Sequence, residues 1–187
     1  MIEDYSNSIG GLDYKDLYAY VVEKYNNTDF VEIGSFRGAS AVFMGVQILN
    51  KNKNIKLHCV DPWEDSDEAK KTQPPRNETT DQSGLYNEFI QNIEKVKSCI
   101  KPIRSSSFIA SNQFKNESVD FIFVDGDHSY QAVFMDLNLW WPKLKVGGIM
   151  AGHDFWAPQI QKAVADFCEK NNLKFQNTSS SCFLINK

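Results

Sequence analysis

Residues 29–61 read "DFVEIGSFRGASAVFMGVQILNKNKNIKLHCVD". The stretch opens on a short β-rich run at 29–33 and passes through two glycines four apart, Gly34 and Gly38. It continues with helical character from Ala39 to Asn50 and closes on a second β-rich run at 55–61. Strand, helix, strand with short connections is the pattern of a βαβ unit, two parallel strands joined by a crossover helix. The fold then depends on whether this rhythm continues along the chain.

It continues to the last residues. The pattern predicts a helix near 85–97, a strand at 100–104, a short helix at 107–114 and a strand at 119–124. A helix over 130–141 follows and stops at Pro142, because proline cannot extend the hydrogen-bond ladder. "VGGIMAG" from 146 reads as a turn and a fifth strand, and Pro158 suits the first turn of a helix running to about Lys170. "LKFQNT" and "SCFLINK" read as a terminal pair of strands. Upstream, Tyr14, Leu17, Tyr18, Val21 and Tyr25 share one helical face, with Asp13 placed to cap it, so 1–27 is expected to be a helical appendage on the main body. Residues 62–84 lack apolar periodicity and contain a Pro-Pro pair, which predicts an inserted loop or lid.

A chain of 187 residues with 42% hydrophobic content builds one full core, so a single domain over 1–187 is expected. A formal charge of −4 and scattered basic residues argue against a nucleic-acid partner. The acidic start and the lack of a membrane-length apolar run predict a soluble cytoplasmic protein with no membrane partner. Cys59, Cys99, Cys168 and Cys182 form no C-x-x-C pair and read as small buried hydrophobes.

In an open α/β sheet, ligands bind beyond the carboxyl ends of the strands, near the point where strand order reverses. The first strand delivers Glu32, Gly34 and Gly38 to that edge, and the second delivers Asp61 and Trp63. Phe36 stands where a pyrophosphate-binding turn would need glycine, which disfavours an NAD-dependent oxidoreductase, and there is no P-loop. Asp61 is placed to accept hydrogen bonds from ribose hydroxyls. The strand at 119–124 ends in "DGDHSY", with Asp125 and His128 facing one space, and the fifth strand ends in His153-Asp154. Asp127 either orients the imidazole or caps the next helix, the cap being the simpler role. Trp140-Trp141 lies on an apolar helical stripe and reads as core, whereas Phe155-Trp156 reads as lining of a substrate pocket.

"VEIGSFRGAS", "HCVDPWE", "FIFVDGDHSYQAV" and "VGGIMAGHDF", in that order and spacing, resemble the class I S-adenosylmethionine-dependent methyltransferases. The resemblance is closest to the branch of macrocin-type sugar O-methyltransferases and cephalosporin-biosynthesis proteins, and it covers about residues 29–155. It implies a Rossmann-like, mainly parallel seven-stranded sheet with helices on both faces and an antiparallel last strand. It also implies cofactor contacts for the methionine end at Glu32, Gly34, Ser35, Phe36 and Gly38, for the ribose at Asp61 and for adenine at Ser106 and Ser107, where aspartate is common. Trp63 is either an apolar wall of the cofactor site or a residue packed under the loop. By the same resemblance Asp125 borders the cofactor, and Asp125, His153 and Asp154 would hold a divalent metal. A histidine in that set suits Mn²⁺ or Fe²⁺ better than Mg²⁺.

The expected activity is therefore methylation of a small-molecule hydroxyl, the acceptor being a sugar or glycan on the analogy with that branch. Asp125 and His128 would be the catalytic pair, with His128 as general base. A cofactor-binding protein without catalysis is the alternative. A homo-oligomer is compatible with the sequence.

Overall fold

The computed structural model describes residues 1–64, 84–178 and 181–187. Seven strands form one sheet: β1 (Thr28–Ile33), β2 (Ile55–Asp61), β3 (Ile100–Arg104), β4 (Val119–Val124), β5 (Leu144–Gly152), β6 (Phe175–Asn177) and β7 (Phe183–Asn186). Their order is β3-β2-β1-β4-β5-β7-β6. The first five pair in parallel, and β7 runs antiparallel to both β5 and β6. The chain travels outward from β1 to β3, then returns to place β4 on the other side of β1. The switch point of the sheet is thus the gap between the carboxyl ends of β1 and β4.

Six helices flank the sheet among the described residues: α1 (Lys15–Lys24), α2 (Ala39–Asn50), α3 (Gly84–Asn92), α4 (Ser107–Ser111), α5 (Tyr130–Trp140) and α6 (Pro158–Lys170). Side chains alternate across a strand, so each strand feeds two cores. Phe30, Leu57, Phe121 and Phe123 join Tyr18, Val21, Val42 and Phe89 on one face. Val31, Ile122 and Val124 join Leu137, Trp140, Val164 and Phe167 on the other. Burying both faces explains why the parallel strands read as continuous apolar runs. All four cysteines are free and buried, as their scattered positions suggested.

Several expectations shift locally. Helix α1 begins after Tyr14, with no side-chain cap, and Asp13 is committed elsewhere. The helix expected over 85–97 ends at Asn92. Beyond it Ile93, Val96 and Cys99 are buried at intervals of three, and the bonds Val96 N–H to Ile93 O and Cys99 N–H to Val96 O give tight three-residue turns. Helix α5 passes into a single 3₁₀ turn, Trp141–Lys143, that contains Pro142. β5 starts two residues before Val146, with its register to β4 shifted between Val119 and Phe121. Of the proposed 62–84 lid, residues 65–83 lie outside the described residues.

Candidate active site

The turn after β1 is built on close backbone approach. Gly34 has φ +86°, and a Cβ there would overlap the Asp125 carbonyl at the end of β4. The glycine therefore brings two strand ends together, where Asp125 N–H donates to Ile33 O at 2.8 Å. Gly38, with φ +87°, caps α2, and the Phe89 ring lies 2.9 Å from where its Cβ would be. Gly38 thus permits close packing of a side chain, and the close neighbour of Gly34 is protein backbone.

Glu32 points under this turn, into the face covered by α1. It is fully buried and accepts hydrogen bonds from the Tyr18 hydroxyl at 2.8 Å and the Ser35 hydroxyl at 2.6 Å. Burial raises its pKa against the lowering effect of those donors. Asp61 clamps two strand ends: its Oδ2 accepts from Phe36 N–H at 2.9 Å and its Oδ1 from Trp63 N–H at 2.6 Å. Burial outweighs these amides and raises its pKa. The Trp63 indole donates to Phe36 O at 2.8 Å, and its ring is fully buried against Tyr86 and Phe89. Trp63 thus packs against the helix that follows the loop.

Ser106 and Ser107 occupy the start of α4 in different ways. The Ser106 side chain caps the helix, accepting from Ile109 N–H at 3.4 Å. The Ser107 hydroxyl donates to Asp136 Oδ1 at 2.5 Å and accepts from the Trp140 indole at 2.7 Å. Its proton is committed to this internal network, whereas the Ser106 side chain stays at the helix start. Asp136 is buried, which pushes its pKa up to about 6 despite the Ser107 hydrogen bond.

The ends of β4 and β5 supply the densest cluster of titratable groups. His128 Nε2 lies 2.9 Å from Asp154 Oδ2 and 3.8 Å from Asp125 Oδ1. Asp125, His128 and Asp154 each place a ligand atom within 4.8 Å of the other two. His153 bridges three carboxylates: its Nε2 meets Asp13 Oδ1 at 2.9 Å, while its Nδ1 is 3.6 Å from Asp125 and 3.4 Å from Asp154. The expected trio of Asp125, His153 and Asp154 thus lies together, and His128 joins it through its contact with Asp154. Burial alone would depress His153, but Asp125, Asp154 and Asp13 override it and raise its pKa to about 9. Asp127 accepts from Ser129 N–H at 2.7 Å in a local turn, and Ser129 itself caps α5, so the cap expected of Asp127 belongs to Ser129.

Two contributors were missed. Tyr14 donates from its hydroxyl to Asp125 Oδ2 at 3.3 Å, and Asp13 links His153 to the Ser181 hydroxyl, 3.2 Å away. Both lie more than a hundred positions from their partners in sequence, where no local spacing signals the contact. Asp136 did leave a trace, a carboxylate on the apolar stripe of Val133, Leu137 and Trp140. Phe36, Trp63 and Asp154 share positive φ values of 45°, 47° and 54°. Such conformations are uncommon for bulky residues and collect where surrounding structure enforces them for function.

The sheet order and this carboxyl-edge cluster define the class I methyltransferase fold. A family model for a methyltransferase domain matches residues 31–155, two thirds of the chain. The chain belongs to this methyltransferase domain family. Uncharacterized protein R132 of Acanthamoeba polyphaga mimivirus is 27% identical over 161 residues, which are 79% of this chain and 65% of that protein. The chain thus spans less than two thirds of the curated relative it matches. Among solved structures, the O-methyltransferase NovP superposes with a TM-score of 0.68 at 15% identity, over 95% of this chain and 80% of that one. An O-methyltransferase from Bacillus cereus, solved in complex with SAH, gives a TM-score of 0.65 at 13% identity over 98% and 87%. Among the described residues no helix is long and apolar enough to cross a membrane.

Proposed function

We propose that the domain transfers a methyl group from S-adenosylmethionine to a hydroxyl of a small molecule, a sugar or glycan being the leading class. The observation that carries the reading is the convergence of Asp125, His128 and Asp154 beside the β1 turn, at the switch point of the sheet. The methionine end of the cofactor would lie along the backbone of Gly34, Phe36 and Gly38, with Glu32 and Ser35 holding that turn from below. Asp61 would accept from the ribose hydroxyls with the lone pairs left free by its two amide donors, and Ser106 would face adenine.

The sulfonium methyl is already activated, so the protein must align an acceptor oxygen with it and remove one proton. With S-adenosylmethionine bound, the transfer would balance as one oxygen–carbon bond formed and one carbon–sulfur bond broken, the electron pair of the latter going to sulfur. The hydroxyl proton passes to the ring nitrogen of His128 that does not face Asp154, Nδ1, while Asp154, 2.9 Å from Nε2, orients the imidazole and stabilises it once charged. Tyr14 fixes Asp125 at the edge of the cofactor crevice. Asp125, His128 and Asp154 also fit a divalent cation by distance and donor chemistry, and such a cation would lower the pKa of a bound hydroxyl. A cation on Nε2 would take the place of its contact with Asp154, so stimulation of turnover by Mg²⁺ or Mn²⁺ favours ligation and inhibition favours the metal-free base.

The test is calorimetric titration with S-adenosylmethionine and, separately, NAD, with and without Mg²⁺ or Mn²⁺. Selective binding of S-adenosylmethionine is expected. Failure to bind it under every condition refutes the reading.

A further inference from the structure

The four tryptophans divide sharply by environment. Trp63 and Trp140 are fully buried, and Trp141 packs its edge on Phe167. Trp156 is 69% exposed, a costly way to display an indole unless something covers it during function.

Its position is nonetheless fixed. The Trp156 indole donates to Asp154 Oδ1 at 2.9 Å, while the other oxygen of that carboxylate is 2.9 Å from His128. One carboxylate thereby ties an exposed aromatic plane to the imidazole. The turn beneath is held as well. Asp154 has φ +54°, Ala157 N–H donates to Asp154 O at 2.9 Å, and Phe155 N–H donates to Ser181 O at 2.8 Å. The Phe155 ring is buried against Phe175 and Phe183, and Pro158 starts α6 directly afterwards. Phe155, expected to line the acceptor pocket beside Trp156, is instead the anchor that lets Trp156 stand out.

We propose that Trp156 is a specificity-determining residue, a platform against which the ring of a carbohydrate acceptor lies so that one hydroxyl reaches His128. This inference rests on the methyltransferase reading above. A pyranose offers an apolar C–H face that matches an indole and a rim of hydroxyl donors. The same edge offers acceptors to that rim: Asp154 touches Trp156 directly, Asp125 and Asp13 both meet the neighbouring His153, and the Ser181 hydroxyl meets Asp13. A flat phenolic acceptor carries only one or two hydroxyls and would leave most of these acceptors unmatched. The hydrogen bond to Asp154 adds a further consequence: seating a ring on the indole also steadies the carboxylate that orients the base.

The experiment uses the full chain, ¹⁵N-labelled and saturated with S-adenosylhomocysteine, saturation being verified by calorimetry. Methyl α-D-glucopyranoside, methyl β-D-galactopyranoside, methyl α-L-rhamnopyranoside and, separately, catechol are titrated while the tryptophan indole N–H signals are followed. The Trp156 signal is assigned from its loss in Trp156→Phe. A saturable shift of that signal with at least one glycoside is expected, with the Trp63 and Trp140 signals unmoved. Trp156→Ala is expected to weaken that glycoside about tenfold, while Trp156→Phe retains most of the affinity and both keep wild-type affinity for S-adenosylhomocysteine. No saturable shift with any glycoside overturns the inference, as does a stronger response to catechol or unchanged glycoside affinity in Trp156→Ala. Loss of S-adenosylhomocysteine binding itself overturns the underlying methyltransferase reading, and calorimetry separates the two failures.

Discussion

Replacing Asp136 with asparagine should stabilise the protein at neutral pH and leave it unchanged in acid. Asp136 is 4% exposed, and burial raises its pKa from 3.8 to about 6, with the Ser107 hydrogen bond opposing the shift and Asp127 adding to it. A carboxyl whose folded pKa lies above its unfolded value binds more protons when folded. Its contribution is therefore most favourable below about pH 4 and is lost as pH rises through about 6. The cost of holding the charged form above that pH is about 3 kcal/mol. Asparagine keeps an oxygen to accept from Ser107 Oγ, 2.5 Å away, without the charge. For a domain of this size the gain corresponds to a Tm rise of about 6–10 °C at pH 8, shrinking toward zero at pH 4. Scanning calorimetry of the wild type and Asp136→Asn across that range is the assay. A variant less stable at pH 8, or one with the same difference at both pH values, would refute the assignment of a desolvated carboxylate.

Other perturbations probe the site. Gly34→Ala combines positive φ with overlap onto the Asp125 carbonyl, so a loss of about 3 kcal/mol or more is expected, and denaturant midpoints within error of wild type would remove the close-approach argument. His128→Ala should abolish turnover on an identified acceptor while leaving S-adenosylmethionine affinity nearly intact; retained turnover would eliminate His128 as base. His153, with its folded pKa raised to about 9, adds stability that is complete below about pH 6.5 and lost as pH rises through 9. His153→Gln should flatten the stability profile across that window, and an unaltered slope in urea titrations would show that the pairing with Asp13, Asp125 and Asp154 is not the source.

The sheet was legible because its strands are buried on two faces and punctuated by glycine and proline, signals that survive in one dimension. β1, α2 and β2 fall where the run at 29–61 puts them, and the start of α6 at Pro158 follows from a missing N–H. Boundaries set by tertiary fit were less visible. Ile93, Val96 and Cys99 imitate a helical face but serve tighter turns. Within the site, Asp125, His128 and Asp154 could be read together because parallel strands deliver their last residues to one edge. The orientation of His153 could not, since it depends on Asp13, 140 positions away.

That long-range link bears on how the molecule assembles. Asp13, His153 and Ser181 join three distant parts of the chain through side-chain contacts near the solvent boundary, whereas β1, β2 and β4 are locked by ladders in the core. Contacts that close such wide loops for so little burial form late in folding and open early. The rim of the crevice around His153 should therefore mature after the β1–β4 floor, and mild urea should loosen that neighbourhood while the central strands retain their amide protection.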